Sequence, residues 1–307
     1  MNHLIAIVGP TAVGKSDLAL SLAEKMDGEI INSDSRQIYR YMSIGTAKSS
    51  SAAQKRIPHH LIDIINPDQD YSLSIYQNSA YRIIDDTINR SKMPFLVGGT
   101  GQYIWSILEG WEVPSVKPNP EFRKQLEEKA EREGWKCLYA DLEKVDPLAA
   151  KAIMPTNVRR VIRALEIYKF SNIPASRQWR KKGTSFKYTI IGLTMERKTL
   201  YQTIDERVDL MIKEGLIDEV KDLLAMGYEI GLPSMSGIGY RQIAMYLEGK
   251  MSLEESIAQI KTETHRFARR QYTWFKLSDR RINWFDVSRD IKDNIYNFLK
   301  DRINNQG

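Results

Sequence analysis

"IVGPTAVGKSD", residues 7–17, decides the fold. It fits the pattern G-x-x-x-x-G-K-[ST] at Gly9, Gly14, Lys15 and Ser16. The apolar run of residues 3–8 precedes it, and Ser16, Leu18, Ala19, Leu22 and Ala23 follow at helical spacing. Strand, glycine loop and helix in this order predict a phosphate-binding P-loop over Gly9, Pro10, Thr11, Ala12, Val13, Gly14, Lys15 and Ser16. In such a loop, backbone N–H groups and the helix start face phosphate oxygens. Lys15 adds positive charge, and the Ser16 hydroxyl is placed to ligate Mg²⁺.

Working outward, "GEIINSDS" reads as a second strand that ends in polar residues, and residues 71–91 read as a helix. "MPFLVGGTGQYI" reads as a third strand entering a glycine turn and another helix. Alternating strands and helices imply an α/β protein with a parallel, doubly wound, P-loop NTPase-like sheet. The pattern changes at "VPSVKPNPEF", which carries three prolines and reads as a linker. Residues 120–133 and 146–170 look helical, "RQWRKKGTS" is a basic exit, and "YTIIGLTM" returns to strand at 188–195. The expected organisation is an α/β core of residues 1–113 and 186–307 interrupted by a helical insertion at 114–185. Residues 203–226 and 253–276 read as long amphipathic helices. On the second, Ile257, Ile260, Phe267 and Trp274 form one stripe, and Arg266, Arg269 and Arg270 share another face.

Composition narrows the function classes. Of 307 residues, 42% are hydrophobic and 27% charged, the balance of a globular protein. The single cysteine, Cys137, excludes an internal disulfide and reads as a small buried apolar residue; His59, His60 and His265 show no zinc spacing. The short N-terminal apolar run lacks a charged leader and a cleavage site, and no run reaches transmembrane length, so a cytoplasmic protein is expected. Net charge is +6. Residues 114–185 hold 16 Lys and Arg against 9 Asp and Glu, a net of +7, while the rest holds 29 against 30, a net of −1. A basic segment on a near-neutral body suits a polyanionic partner. A solvated helical surface would read the same way.

A motor ATPase or switch GTPase needs a second strand ending in a metal-holding carboxylate. "FLVGG" has none. "EIINSD" ends in Asp34, here followed by "SRQIY", whose hydrogen-bonding side chains could read the edge of a base. A helix N-cap or a metal ligand is the plainer role for Asp34. A small-molecule or nucleoside kinase shares the P-loop and sheet but leaves the basic insert and basic C-terminal helix unexplained. A non-catalytic RNA-binding module explains the charge but gives Asp34 and the 98–101 glycine turn no role.

The ordered set "GPTAVGKS", "DSRQIY", "PHHLID", "VGGTGQYI", "RRVIRALEIY", "ERVDLMIKEGLIDEV", "GIGYRQ" and "RRQYTWFK" spans almost the whole chain and resembles the tRNA dimethylallyltransferases, or tRNA isopentenyltransferases. The resemblance implies transfer of a dimethylallyl group from dimethylallyl diphosphate to the exocyclic amine of the adenine 3′ to the anticodon. The partners implied are dimethylallyl diphosphate and the anticodon stem-loop of tRNA, with Mg²⁺ as cofactor, and a monomer is expected. By resemblance Asp34 is the general base, Thr11, Lys15 and Arg207 serve the diphosphate, and Asp34, Ser35, Arg36, Gln37 and Thr100 surround the target nucleotide. Contacts to the rest of the tRNA fall, by the same resemblance, on Arg123, on Arg159, Arg160, Val161, Ile162 and Arg163, on Gly239, Tyr240 and Arg241, and on Arg269, Arg270, Gln271 and Trp274. Helical spacing puts Arg160 and Arg163 on one face, both expected to reach phosphates. The chain departs from the family pattern at His265 and Arg269, where arginine and lysine are usual, and at Lys276, where arginine is. No zinc finger of the kind some eukaryotic members carry is expected, and the chain resembles the short bacterial type.

Overall fold

The structure, a computed structural model, describes residues 2–114, 116–178, 180–287 and 291–304. Ser115 of the proline-rich linker and Trp179 of the basic exit lie outside them. The chain divides into two units, one of Met1–Ile107 with Ser185–Gly307 and one of Leu108–Thr184.

The first unit begins with β1 (His3–Val8), α1 (Lys15–Lys25), β2 (Gly28–Asn32), α2 (Ser51–Arg56), β3 (His59–His60), α3 (Leu73–Asn89), β4 (Met93–Val97) and α4 (Gly101–Leu108). The second unit supplies α5 (Pro120–Glu133), α6 (Trp135–Val145), α7 (Pro147–Ala152), α8 (Val158–Ser171) and α9 (Ala175–Gln178). The first unit then resumes with β5 (Lys187–Thr194), α10 (Arg197–Lys213), α11 (Leu216–Ala225), α12 (Tyr240–Leu247), α13 (Leu253–Trp274), β6 (Ile282–Asp286) and α14 (Lys292–Asn304).

All six strands pair in parallel, in the order β3-β2-β4-β1-β5-β6. Every residue of β1 is buried, as expected of a central strand covered on both faces. From β1 the chain travels first toward β2 and later, from β4, across to β5. The topological switch therefore lies at β1, whose carboxyl end carries the glycine loop, the place where open α/β sheets bind ligands. A core of Ile5, Ile7, Leu18, Leu22, Phe95 and Leu299 locks α1 and α14 to the sheet. Among the described residues no helix is long and apolar enough to cross a membrane.

The second unit is helical and closes over its own core, including Leu138, Leu142, Ile153, Val161, Ile162 and Ile167. Its hub is Glu166, fully buried, which accepts from Asn119 N at 2.7 Å, Arg123 Nε at 2.8 Å and an Arg163 nitrogen at 2.5 Å. Burial acts to raise this carboxyl, but the hydrogen bonds from Arg123, Asn119 and Arg163 outweigh it, so Glu166 lies below the ordinary carboxylate range. Cys137 is half-buried at the edge of this core.

The structure corrects two helix readings. Residues 146–170 are two helices, because Pro155 cannot continue α7 and Asn157 caps α8 by accepting from Arg160 N. Residues 203–226 are also two, interrupted at Gly215, whose φ of 100° lies outside the helical region.

Candidate active site

A cavity of about 600 Å³ opens at the carboxyl end of the sheet. Thr11, Gly14, Lys15 and Ser16 line it on the glycine-loop side, and Asp34 and Gln37 line it beyond β2. No side chain caps the start of α1, so its first N–H groups remain for an anion. Lys15 Nζ donates to the Pro10 carbonyl at 2.6 Å. Burial lowers Lys15 to about 8; Asp34 opposes the shift and Arg207 adds to it. Arg207, brought in by α10, reaches the Thr11 hydroxyl at 3.4 Å. Burial lowers its pKa too, with Asp34 again opposing. Lys15 and Arg207 thus share the cavity with the carboxylate of Asp34.

Asp34 sits where β2 ends. Its Oδ1 accepts from Arg36 N at 2.8 Å, a local turn that aims the carboxylate. Asn32 braces the same turn: its Oδ1 accepts from Asp34 N, and its Nδ2 donates to the carbonyls of Asp34 and Leu61, each at 3.0 Å. Beneath it Tyr76 is fully buried, stacked on Tyr103 at 3.6 Å, with its hydroxyl on Ser33 Oγ at 2.5 Å.

The glycine turn after β4 is a socket. A methyl group on Gly98 would lie 2.2 Å from the Ser33 carbonyl oxygen, one on Gly99 would lie 2.0 Å from Gln271 Nε2, and one on Gly101 would meet the Trp274 ring at 2.2 Å. At Gly98 the backbone approach leaves no room for a Cβ, and at Gly99 and Gly101 the packed side chains would have to shift. Thr100 completes the socket, with its N–H on Ser33 O at 3.1 Å and its hydroxyl accepting from Ser35 N at 3.1 Å.

Several residues expected to touch RNA have other partners here. Gln271 is buried; its Oε1 accepts from Thr11 N at 2.7 Å and its Nε2 donates to Gly99 O at 3.1 Å. It clasps the glycine loop to the socket, across 260 residues of sequence. Gln37 spends its amide N–H groups on the carbonyls of Thr46 and Ala47, at 3.0 and 3.1 Å. Arg36 reaches the carbonyls of Pro233 and Ser234, at 2.6 and 3.3 Å. The Tyr240 side chain is buried, and Gly239 opens α12. Val161 and Ile162 face the core of the helical unit. Arg123 and Arg163 face Glu166, because a fully buried carboxylate recruits the nearest cations. Of the arginines at the start of α8, Arg159 and Arg160 are exposed, and Arg163 is engaged by Glu166. Arg269 and Arg270 are exposed on α13, and Arg241 pairs with Glu263. His265, where arginine is usual, stacks on Tyr201 at 4.1 Å and pairs with Asp205 at 2.8 Å.

Sequence reading missed Lys48, which lines the cavity with its side chain buried, and Glu166 and Glu219, which brace the elements around them. None of the three belongs to a motif: Lys48 pairs with Asp63, Glu166 with Arg123 and Arg163, and Glu219 with the backbone of residues 43–45.

The model of one protein family, described as IPP transferase, matches residues 37–278. The tRNA dimethylallyltransferase of Roseiflexus castenholzii is 52% identical over 276 residues, covering 90% of each chain. That of Carboxydothermus hydrogenoformans is 48% identical over 297 residues, covering 96% of this chain and 95% of the relative. Among solved structures, the full-length tRNA isopentenylpyrophosphate transferase of Bacillus halodurans superposes with a TM-score of 0.74 at 40% identity, over 99% of this chain and 98% of that one. A eukaryotic dimethylallyltransferase acting on tRNA superposes with a TM-score of 0.86 at 29% identity, over 99% of this chain and 80% of that one.

Proposed function

The chain belongs to the IPP transferase family, and we propose that it moves a dimethylallyl group from dimethylallyl diphosphate to the exocyclic amine of the adenine 3′ to the anticodon of tRNA. The matches favour a tRNA-modifying transferase over the kinase alternative. The observation that carries the reading is the cavity itself, which brings a phosphate-type loop together with the oriented carboxylate of Asp34.

The amine lone pair attacks the allylic carbon, the carbon–oxygen bond breaks, and the electron pair leaves with diphosphate. The adenine amine is a poor nucleophile because its lone pair is delocalised into the ring, so its proton must depart as the bond forms; Asp34 takes it. Lys15, Arg207 and the α1 backbone N–H groups meet the negative charge that develops on the leaving group. The target base is extruded from the anticodon loop, at a cost of a few kcal/mol that contacts to the rest of the loop offset. Mg²⁺ fits the donor set. Among the described residues no cluster of three or more His, Cys, Asp or Glu could hold a metal alone, whereas Ser16 presents an exposed hydroxyl at the cavity. One protein oxygen completed by substrate phosphate oxygens suits Mg²⁺, which supplies charge neutralisation when bound. The protein is proposed to act as a monomer.

Incubating the protein with unfractionated tRNA and either dimethylallyl diphosphate or ATP tests the reading. Prenylated tRNA is expected with the first only; phosphate transfer from ATP would point to a kinase, and no reaction with either to a binding module.

Two expectations separate the donor and tRNA sides. Gln271→Ala should raise the donor KM roughly tenfold, since the two buried hydrogen bonds that tie Thr11 of the glycine loop to Gly99 are lost at about 0.5–1.5 kcal/mol each. The tRNA KM should hold; a shift in the tRNA KM alone would return Gln271 to the RNA surface. Arg159→Ala/Arg160→Ala should weaken tRNA binding and flatten its log–log salt dependence by about 0.7–0.9 per lost phosphate contact. Arg163→Ala should instead cost stability, about 1.5 kcal/mol or more, by stripping a charged hydrogen bond from Glu166. An unchanged salt slope in the double variant would make these two arginines bystanders.

A further inference from the structure

We infer that Glu219, on α11, is a positioning residue for the acceptor side of the transfer, acting through the loop of residues 43–47; this rests on the functional reading above. Its carboxylate fills a concave row of three successive backbone N–H groups. Oε2 accepts from Ser43 N and Ile44 N, each at 2.8 Å, and Oε1 accepts from Gly45 N at 3.1 Å. Such rows of N–H groups bind anions, and here the anion is the protein's own. The fourth donor is the Tyr240 hydroxyl, at 2.6 Å from Oε1. Burial and the adjacent carboxylate raise the Tyr240 pKa well above its ordinary value, so it stays a donor.

The loop held this way runs straight into the cavity wall. Thr46, Ala47 and Lys48 line the cavity, and the carbonyls of Thr46 and Ala47 are the groups that orient Gln37. Gly45 lies flat on the Tyr240 ring, where an added methyl group would come within 2.6 Å of a ring carbon. The loop's position is thus set from two sides, by four hydrogen bonds and by the ring under Gly45. Gln37 lies three residues beyond Asp34 and lines the same cavity. A shift of the 43–47 loop moves Gln37 and the wall facing the base, and leaves Lys15, Thr11 and Arg207 in place.

The two carboxylate oxygens serve separate donors, which makes Glu219→Gln informative: its amide keeps one acceptor oxygen and turns an NH₂ group toward N–H or O–H donors. Steady-state kinetics of Glu219→Gln should show kcat/KM for tRNA reduced by between about ten- and a hundredfold, the scale for a small misplacement remote from the reacting atoms. The donor KM should stay within about twofold of wild type. Rates are normalised to the stoichiometry of dimethylallyl diphosphate binding, which counts folded sites and removes simple loss of protein. Glu219→Asp, which keeps the charge but not the reach, should fall between wild type and Glu219→Gln, and serves if the amide variant does not fold. Normalised kcat/KM for tRNA equal to wild type in the variants would make Glu219 a brace of the fold alone. An equal rise in the donor KM would also overturn the inference. Failure of wild type to prenylate tRNA would instead refute the functional reading on which it rests.

Discussion

Asp34→Asn should lower kcat by about 10²–10⁴-fold, the usual cost of removing a general base. The substitution preserves the turn geometry, because an amide oxygen can still accept from Arg36 N, which the carboxylate does here at 2.8 Å. What it removes is the basicity proposed to accept the amine proton. Donor binding should change little, since the groups proposed to hold the diphosphate, Thr11, Lys15 and Arg207, are left unaltered. Transient kinetics should place the loss in the bond-forming step, with tRNA affinity within a few-fold of wild type. Near-normal kcat in this variant would take Asp34 out of the proton transfer and leave it as a structural turn residue or a metal ligand.

Lys15→Met should lower kcat/KM for the donor by about 10²–10³-fold, the scale for deleting one preorganised donor at developing negative charge. Its pH dependence is a sharper test. Burial holds Lys15 at about 8 in the free protein. As kcat/KM reports the free enzyme, it should fall above about pH 8 in wild type as the ammonium loses its proton. The Lys15→Met variant should lack that limb. Stability moves the other way. Between about pH 8 and the ordinary lysine value of 10.5 the unfolded chain binds more protons than the folded one, so this group's contribution rises with pH across that window. Below pH 8 it is fully unfavourable, and there Lys15→Met should unfold at a higher temperature than wild type. A variant no more stable than wild type at pH 7 would mean that the buried ammonium is not penalised.

The parts legible in the sequence are those whose signal is local. The glycine loop is read from eight consecutive residues, and β1, β2, β4 and β5 from apolar runs that end in turns, because a strand buried on both faces leaves an unbroken hydrophobic stretch. The expected helix over 120–133 matches α5, capped by Asn119 with Pro120 in its first turn. The two-residue β3 and the half-exposed β6 carry too little pattern to be read alone. The helix α6 has no start signal in the sequence, because Gly134 opens it without a side-chain cap.

Site residues were harder to place by role. A basic helix face tells nothing of what lies beneath it. Arg163 reads as a surface arginine, because Glu166, three residues on, gives no sign in the sequence that it is fully buried. Gln271 sits in a basic stretch and reads as part of it, yet its partners are Thr11 and Gly99. Glu219 looks like one more acid on an amphipathic helix, and only the fold brings the 43–45 backbone to it. Contacts that span more than a hundred residues leave no periodicity to read.

The central claim is that the loop holds a diphosphate that leaves, while Asp34 deprotonates an adenine amine. Isotope-labelled dimethylallyl diphosphate, unfractionated tRNA and the protein, followed by digestion to nucleosides and mass spectrometry, test it most directly. The account predicts label on the exocyclic nitrogen of the adenosine 3′ to the anticodon, with one dimethylallyl group replacing one hydrogen and one diphosphate released per modified nucleoside. Label on another nucleoside, phosphate on the RNA, or no labelled nucleoside would contradict it.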